Sequence, residues 1–153
     1  MRKPAAFLVA LIGLFGVLGC ARSDVDIMME DMAPRALDTV RVNISFGLDV
    51  EAIDWVYEEK IDDDGVVKHY IYYFVVMHND TRHYTRSMVE KINGSIRETY
   101  VAFEDQSAME ADYQATVNRV EAEAEAYQDD DSVQYIYHVG SFEGLEISII
   151  MNN

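Results

Sequence analysis

Between Val66 and Met77 only Lys68 and His69 interrupt a run of β-branched, aromatic and other apolar residues. Taken with a strand's period of two, Val67, Ile71, Val75 and Met77 face one way and Tyr70, Tyr72, Phe74 and Val76 the other. A strand apolar on both sides needs cover on both, because either face left in water forfeits its burial energy. The run therefore places a two-sided strand inside a sheet. Any fold for this chain must find material for both faces.

The flanking sequence supplies partners. From Thr39, Val40, Val42, Ile44, Phe46, Leu48 and Val50 alternate with Arg41, Asn43, Ser45 and Asp49, which predicts a half-buried strand. Ile53, Trp55 and Tyr57 continue the period up to Asp62-Asp63-Asp64-Gly65, an acidic-glycine turn that reads as a hairpin into the Val66 run. Ile53, Val56 and Tyr57 also share a helical face, so 48–57 admits a helical turn as the alternative. His78-Asn79-Asp80 predicts a turn, and Asn93-Gly94 a second hairpin between Met88–Ile92 and Ser95–Val101. A helix over 81–92 competes with it, capped by Asp80 and stopped by Gly94, since Tyr84, Met88 and Ile92 recur every four residues. Over about 105–128, Met109, Tyr113, Val117, Val120, Ala124 and Tyr127 form one helical stripe, with Ser107 and Glu110 at capping-box spacing. Val133–Val139 and Leu145–Met151 then read as a closing hairpin. The order of strands, helix, strands predicts an α+β domain: an antiparallel, curled sheet of about six strands with one long helix packed on one face. One helix covers one face. The tyrosine-rich face centred on Tyr70, Tyr72 and Phe74 is then either enclosed by curling or left for a ligand, a second subunit or another protein.

The N-terminus carries a different kind of pattern. Arg2 and Lys3 precede an uncharged run from Ala5 to Leu18, the charged start and apolar middle of an export signal. That run is shorter than the ~20 residues of a spanning helix and is weakened by Gly13 and Gly16. Its end, Val17-Leu18-Gly19-Cys20, resembles the lipobox of bacterial lipoproteins. The resemblance implies cleavage before Cys20 and acylation of that cysteine, and with Ala21 following it implies sorting to the outer membrane, facing the periplasm. Cys20 is the single cysteine, so no internal disulfide is available, and two or more acyl chains give stable anchoring. The chain thus divides into a signal peptide, 1–19, a lipidated N-terminus and tether, 20–35, and one α+β domain, 36–153. Met28, Met29 and Met32 in the tether lack the His or Cys that would make a soft-metal site.

The formal net charge is −16 and becomes about −18 once Arg2 and Lys3 leave with the signal. Such acidity excludes nucleic acid as a partner, and electrostatic adhesion to anionic lipid with it. Catalytic patterns are thin: no G-x-S-x-G, Walker loop, G-x-G-x-x-G or H-E-x-x-H occurs. His78, Asp80 and His83 form the one metal candidate, a poor one, because His69 and His78 fall on opposite sides of a strand and His138 lies far off in sequence. No cofactor is expected, and an enzyme is the third reading. The first reading is a membrane-anchored interaction or assembly module using Tyr70, Tyr72 and Phe74 to bind a protein partner or a second copy. The second is a carrier of a small apolar ligand in a cavity between helix and sheet, lined by Tyr113, Val117 and Tyr127.

Overall fold

The computed structural model describes residues 22–44 and 49–142. It is an α+β fold built on one antiparallel sheet of five strands: β1 (Asp49–Asp62), β2 (Gly65–His78), β3 (Thr81–Ile92), β4 (Ser95–Phe103) and β5 (Gln134–Ser141). Their spatial order is β4-β3-β2-β1-β5, so β2, the two-sided strand, lies at the centre. The first four strands form a meander joined by two-residue turns. Asn79 and Asp80, and Asn93 and Gly94, take the positive φ angles that primed hairpin turns require. Asn93 also ties two turns together, accepting the backbone N–H of Val66 at 2.8 Å and donating to the Asp64 carbonyl at 3.3 Å. The competing helix over 81–92 is not formed, nor is the helical turn over 48–57. Helix α2 (Gln106–Ala126) follows β4 and is capped by Asp105, whose carboxylate accepts from Ala108 N–H at 2.8 Å, rather than by the Ser107–Glu110 pair. Among the described residues the sheet is open and has five strands. The expected strand Leu145–Met151 lies outside the described residues.

The largest departure is at the N-terminus. Residues 39–43, expected to begin a strand, and 24–35, within the expected tether 20–35, are helical. A short turn at Asp24–Asp26 runs into a π-helical segment, Ile27–Met32, and then into helix α1, Ala33–Asn43. Met28, Met32, Ala36 and Val40 recur every fourth residue and are buried, together with Ala33 and Leu37. Pro34 sits in the first turn of α1, where its missing N–H removes no intrahelical bond. Val42, which the alternation assigned to the core, is exposed.

This helical segment is the missing cover. Met28, Leu37 and Val40 join Trp55, Tyr57, Tyr70, Tyr72, Phe74, Val76 and Val89 in one core. Tyr72 donates its hydroxyl to the Met28 carbonyl at 2.7 Å, closing a gap of 44 residues in sequence. The other face carries a second core, in which Val56, Ile71, Tyr73 and Val75 pack against Met109 and Val120 of α2. Both faces of β2 are therefore covered by helices, and no curling of the sheet is needed.

Candidate functional site

Register places a row of charges under α2. The turns of the meander set Glu58 opposite His69, His69 opposite Glu90, and Glu90 opposite Arg97. Side chains that face each other across strands share a face, so four residues of alternating sign lie side by side. His69 Nδ1 is 2.5 Å from Glu58 Oε1 and Nε2 is 2.7 Å from Glu90 Oε2, while Arg97 Nη2 is 2.6 Å from Glu90 Oε1. Glu58 is further held by Arg119 of α2 at 2.9 and 3.1 Å and by the Tyr135 hydroxyl of β5 at 2.7 Å.

Glu58 and Glu90 are both buried. Burial alone would raise the Glu58 carboxyl; the hydrogen bonds from His69, Arg119 and Tyr135 outweigh it and hold the group at about 2. Burial would lower His69, yet its bonds to Glu58 and Glu90 carry it above its ordinary value. Both ring nitrogens of His69 are engaged by carboxylates, which leaves neither free to ligate a metal. Through Arg119 and Tyr135 the row fastens α2 and β5 to the sheet. A second polar tie does the same further along, where Arg86 reaches both oxygens of Asp112 at 2.7 and 2.9 Å and Tyr73 donates to Asp112 at 2.7 Å.

α2 does not close on the sheet along its whole length. Near its N-terminal end lies a cleft of about 220 Å³ whose walls include Ile53, Asp54, Tyr73, Tyr84, Met109 and Tyr113. Tyr113 meets the Tyr73 ring edge-on at 5.4 Å between centroids. Ile53 is the extra residue of a β-bulge in β1, and the bulge brings Asp54 opposite Tyr73 on the α2 side. Asp54 is half-buried, and burial first and the charge of Glu110 second raise its carboxyl above the usual range. A smaller hollow of about 190 Å³ lies at the far end of α2, beside Tyr127, Tyr135 and Arg119.

The residues singled out by sequence fare differently. Tyr70, Tyr72 and Phe74 do share a face, but all three are fully buried beneath the N-terminal helical segment, so the open aromatic surface expected there is absent. Tyr113 and Tyr127 line separate hollows, and Val117, half-buried, packs into the α2-side core, so they do not enclose one cavity. The stripe on α2 is also partly polar, with Asp112, Thr116 and Arg119 facing the sheet. The His78 and His83 rings lie 6.2 Å apart with Asp80 exposed at the turn, and among the described residues no group of three or more His, Cys, Asp or Glu is placed to hold a metal. Cys20 lies outside the described residues. Sequence reasoning missed Asp54, because a bulge has no signature in the alternation. It missed the charged row as well, although counting outward from the turns would have aligned Glu58, His69 and Glu90. Comparison with protein-family models, with curated proteins and with solved structures finds no match to this chain.

Proposed function

We propose that this chain is a lipid-anchored binding module: acylated at Cys20, held at the periplasmic face of the outer membrane, and taking a small ligand in the cleft between α2 and the sheet. One observation carries the choice between the two sequence-derived readings. The Tyr70, Tyr72 and Phe74 face is sealed by the chain's own helices, whereas the opposite side keeps a tyrosine-lined cleft with a half-buried carboxylate. Ligand sites are typically concave, largely apolar and furnished with a few convergent polar groups, and this cleft has that character on a small scale. A carrier needs no catalytic constellation, which agrees with an imidazole already saturated by two carboxylates.

Two experiments test this reading. A ligand-observed NMR screen of small organic molecules, run against the protein and its Tyr113→Ala variant, should yield binders lost in the variant. A screen in which no binder depends on Tyr113 would overturn the assignment of the cleft. Cys20→Ser should move the protein from the membrane fraction to the soluble one, and retention of the variant on membranes after a salt wash would refute the lipid anchor.

A further inference from the structure

The charges around the cleft do not balance, and the imbalance has a chemical meaning. Asp54 and Glu110 line the same cleft, and the charge of Glu110 acts on the Asp54 carboxyl. Glu51 lines the same cleft. Two cations of this face are committed elsewhere, Arg86 to Asp112 and Arg119 to Glu58. Arg82, opposite Met77 across the strands, is the one cation in the cleft lining. Glu110 accepts one hydrogen bond from the neutral Gln106 amide at 2.8 Å. Asp54, half-buried, and Glu110, exposed, thus both line the cleft, and together with Glu51 they outnumber the single guanidinium of Arg82. Such a pair raises the free energy of the empty site and rewards an incoming cation.

The walls select what kind of cation. Tyr84 and Tyr113, both half-buried, present aromatic surface, backed by the buried Tyr73 ring and the polarizable Met109 thioether. Metal ions such as Ca²⁺ demand six or more oxygen ligands, which these walls do not offer. Tyrosine rings with a nearby carboxylate are instead the environment that holds alkylated ammonium groups, through attraction between the cation and the ring faces. The volume of about 220 Å³ has room for about seven water-sized groups, which suits a compact ion and excludes a long chain. We propose that the cleft binds an organic ammonium ion, its charged head between Asp54 and Glu110 and its alkyl groups against Tyr84, Met109 and Tyr113. This rests on the reading of the cleft as a ligand site. The shared chemistry is the alkylammonium head, whether free or carried by a lipid headgroup.

The test uses the acylated full-length protein in maltoside micelles, labelled at the methionine methyl groups, with the Met109 signal as reporter. Choline should shift that signal, while its neutral isostere 3,3-dimethylbutan-1-ol should bind at least tenfold more weakly. Asp54→Asn should weaken choline binding at least tenfold. The same variant should fold at least as stably as the parent, because it removes a carboxylate that burial disfavours. A second arm in phosphatidylcholine nanodiscs without free choline distinguishes the sources: a Met109 shift there assigns the headgroup, and a shift with free choline alone assigns the soluble ion. Equal binding of choline and its neutral isostere overturns the ammonium assignment and leaves the ligand site standing. Binding of choline that Asp54→Asn does not weaken, or marked destabilisation by that substitution, overturns it as well. If neither choline nor the isostere moves the Met109 signal in either arm, both this proposal and the reading of the cleft fall.

Discussion

Replacing Glu58 by Gln removes one charge and leaves a side chain of nearly the same shape in a crowded place. The carboxyl is held at about 2 in the folded protein against an ordinary 4.5, and that difference corresponds to about 3 kcal/mol of stability. Because the folded value is the lower one, the contribution is complete above pH ~4.5 and is lost as the pH falls toward 2. Glutamine imitates the protonated acid, so the variant should be less stable than the parent by about 2–3 kcal/mol at pH 6. The lower bound reflects Arg119, which is partly exposed and 3.4 Å from Glu123, so that it is not left stranded. By pH 3 the gap should shrink to about half, since the unfolded parent then takes up a proton that the folded protein still excludes. Trp55, the single tryptophan and a buried one, reports unfolding directly, and urea titrations at pH 3, 4.5 and 6 give the three differences. A gap of the same size at all three values would refute the argument, because it would trace the loss to shape or packing and not to the charge of Glu58.

Other outcomes follow from the same contacts. Since His69 is raised above its usual value by its two carboxylates, its stabilisation is complete below pH ~6.5 and lost as the pH rises through the folded value; urea midpoints of the parent should fall on that side, and those of His69→Gln should not. Tyr72→Ala should cost about 3–5 kcal/mol as a core truncation, whereas Tyr72→Phe, losing only the bond to the Met28 carbonyl, should cost about 1 kcal/mol; an alanine variant with unchanged stability would contradict the burial of this face. Gly140→Ala would set a Cβ 2.2 Å from Trp55 Cζ2, so a loss of about 1–3 kcal/mol from overpacking is expected, together with a change in the Trp55 emission spectrum.

The meander was legible because its signals are local. Asn93-Gly94 and the acidic turn before Val66 each fix a hairpin with the residues on either side, and the long stripe from Met109 to Tyr127 announces a helix over a window too wide to be chance. The N-terminal segment was not legible for an equally physical reason. Val40, Val42 and Ile44 satisfy a period of two over a few residues, while Met28, Met32, Ala36 and Val40 satisfy a period of four over a longer span broken by Pro34 and three acidic residues; weighing the longer span would have found the helix. The requirement that both faces of β2 be covered was itself correct. What sequence could not supply was the identity of the cover, which is a contact between residues some forty positions apart. The cleft lies further still from any local pattern, since it depends on a bulge at Ile53 and on how α2 docks across the sheet.

The short turns and the long reach of the N-terminal helices also order events as the chain folds. Each of the first three hairpins closes a loop of two residues, so the meander can form quickly and at little entropic expense. β5 cannot join until the whole of α2 has been spanned, and the N-terminal segment must find a sheet that already exists. Until it does, Tyr70, Tyr72 and Phe74 face solvent as one aromatic surface. The interval between completion of the meander and docking of Met28 and Leu37 is therefore when this chain is most prone to associate with another copy. Substitutions that slow docking, such as Leu37→Ala, would lengthen that interval even where the final structure survives.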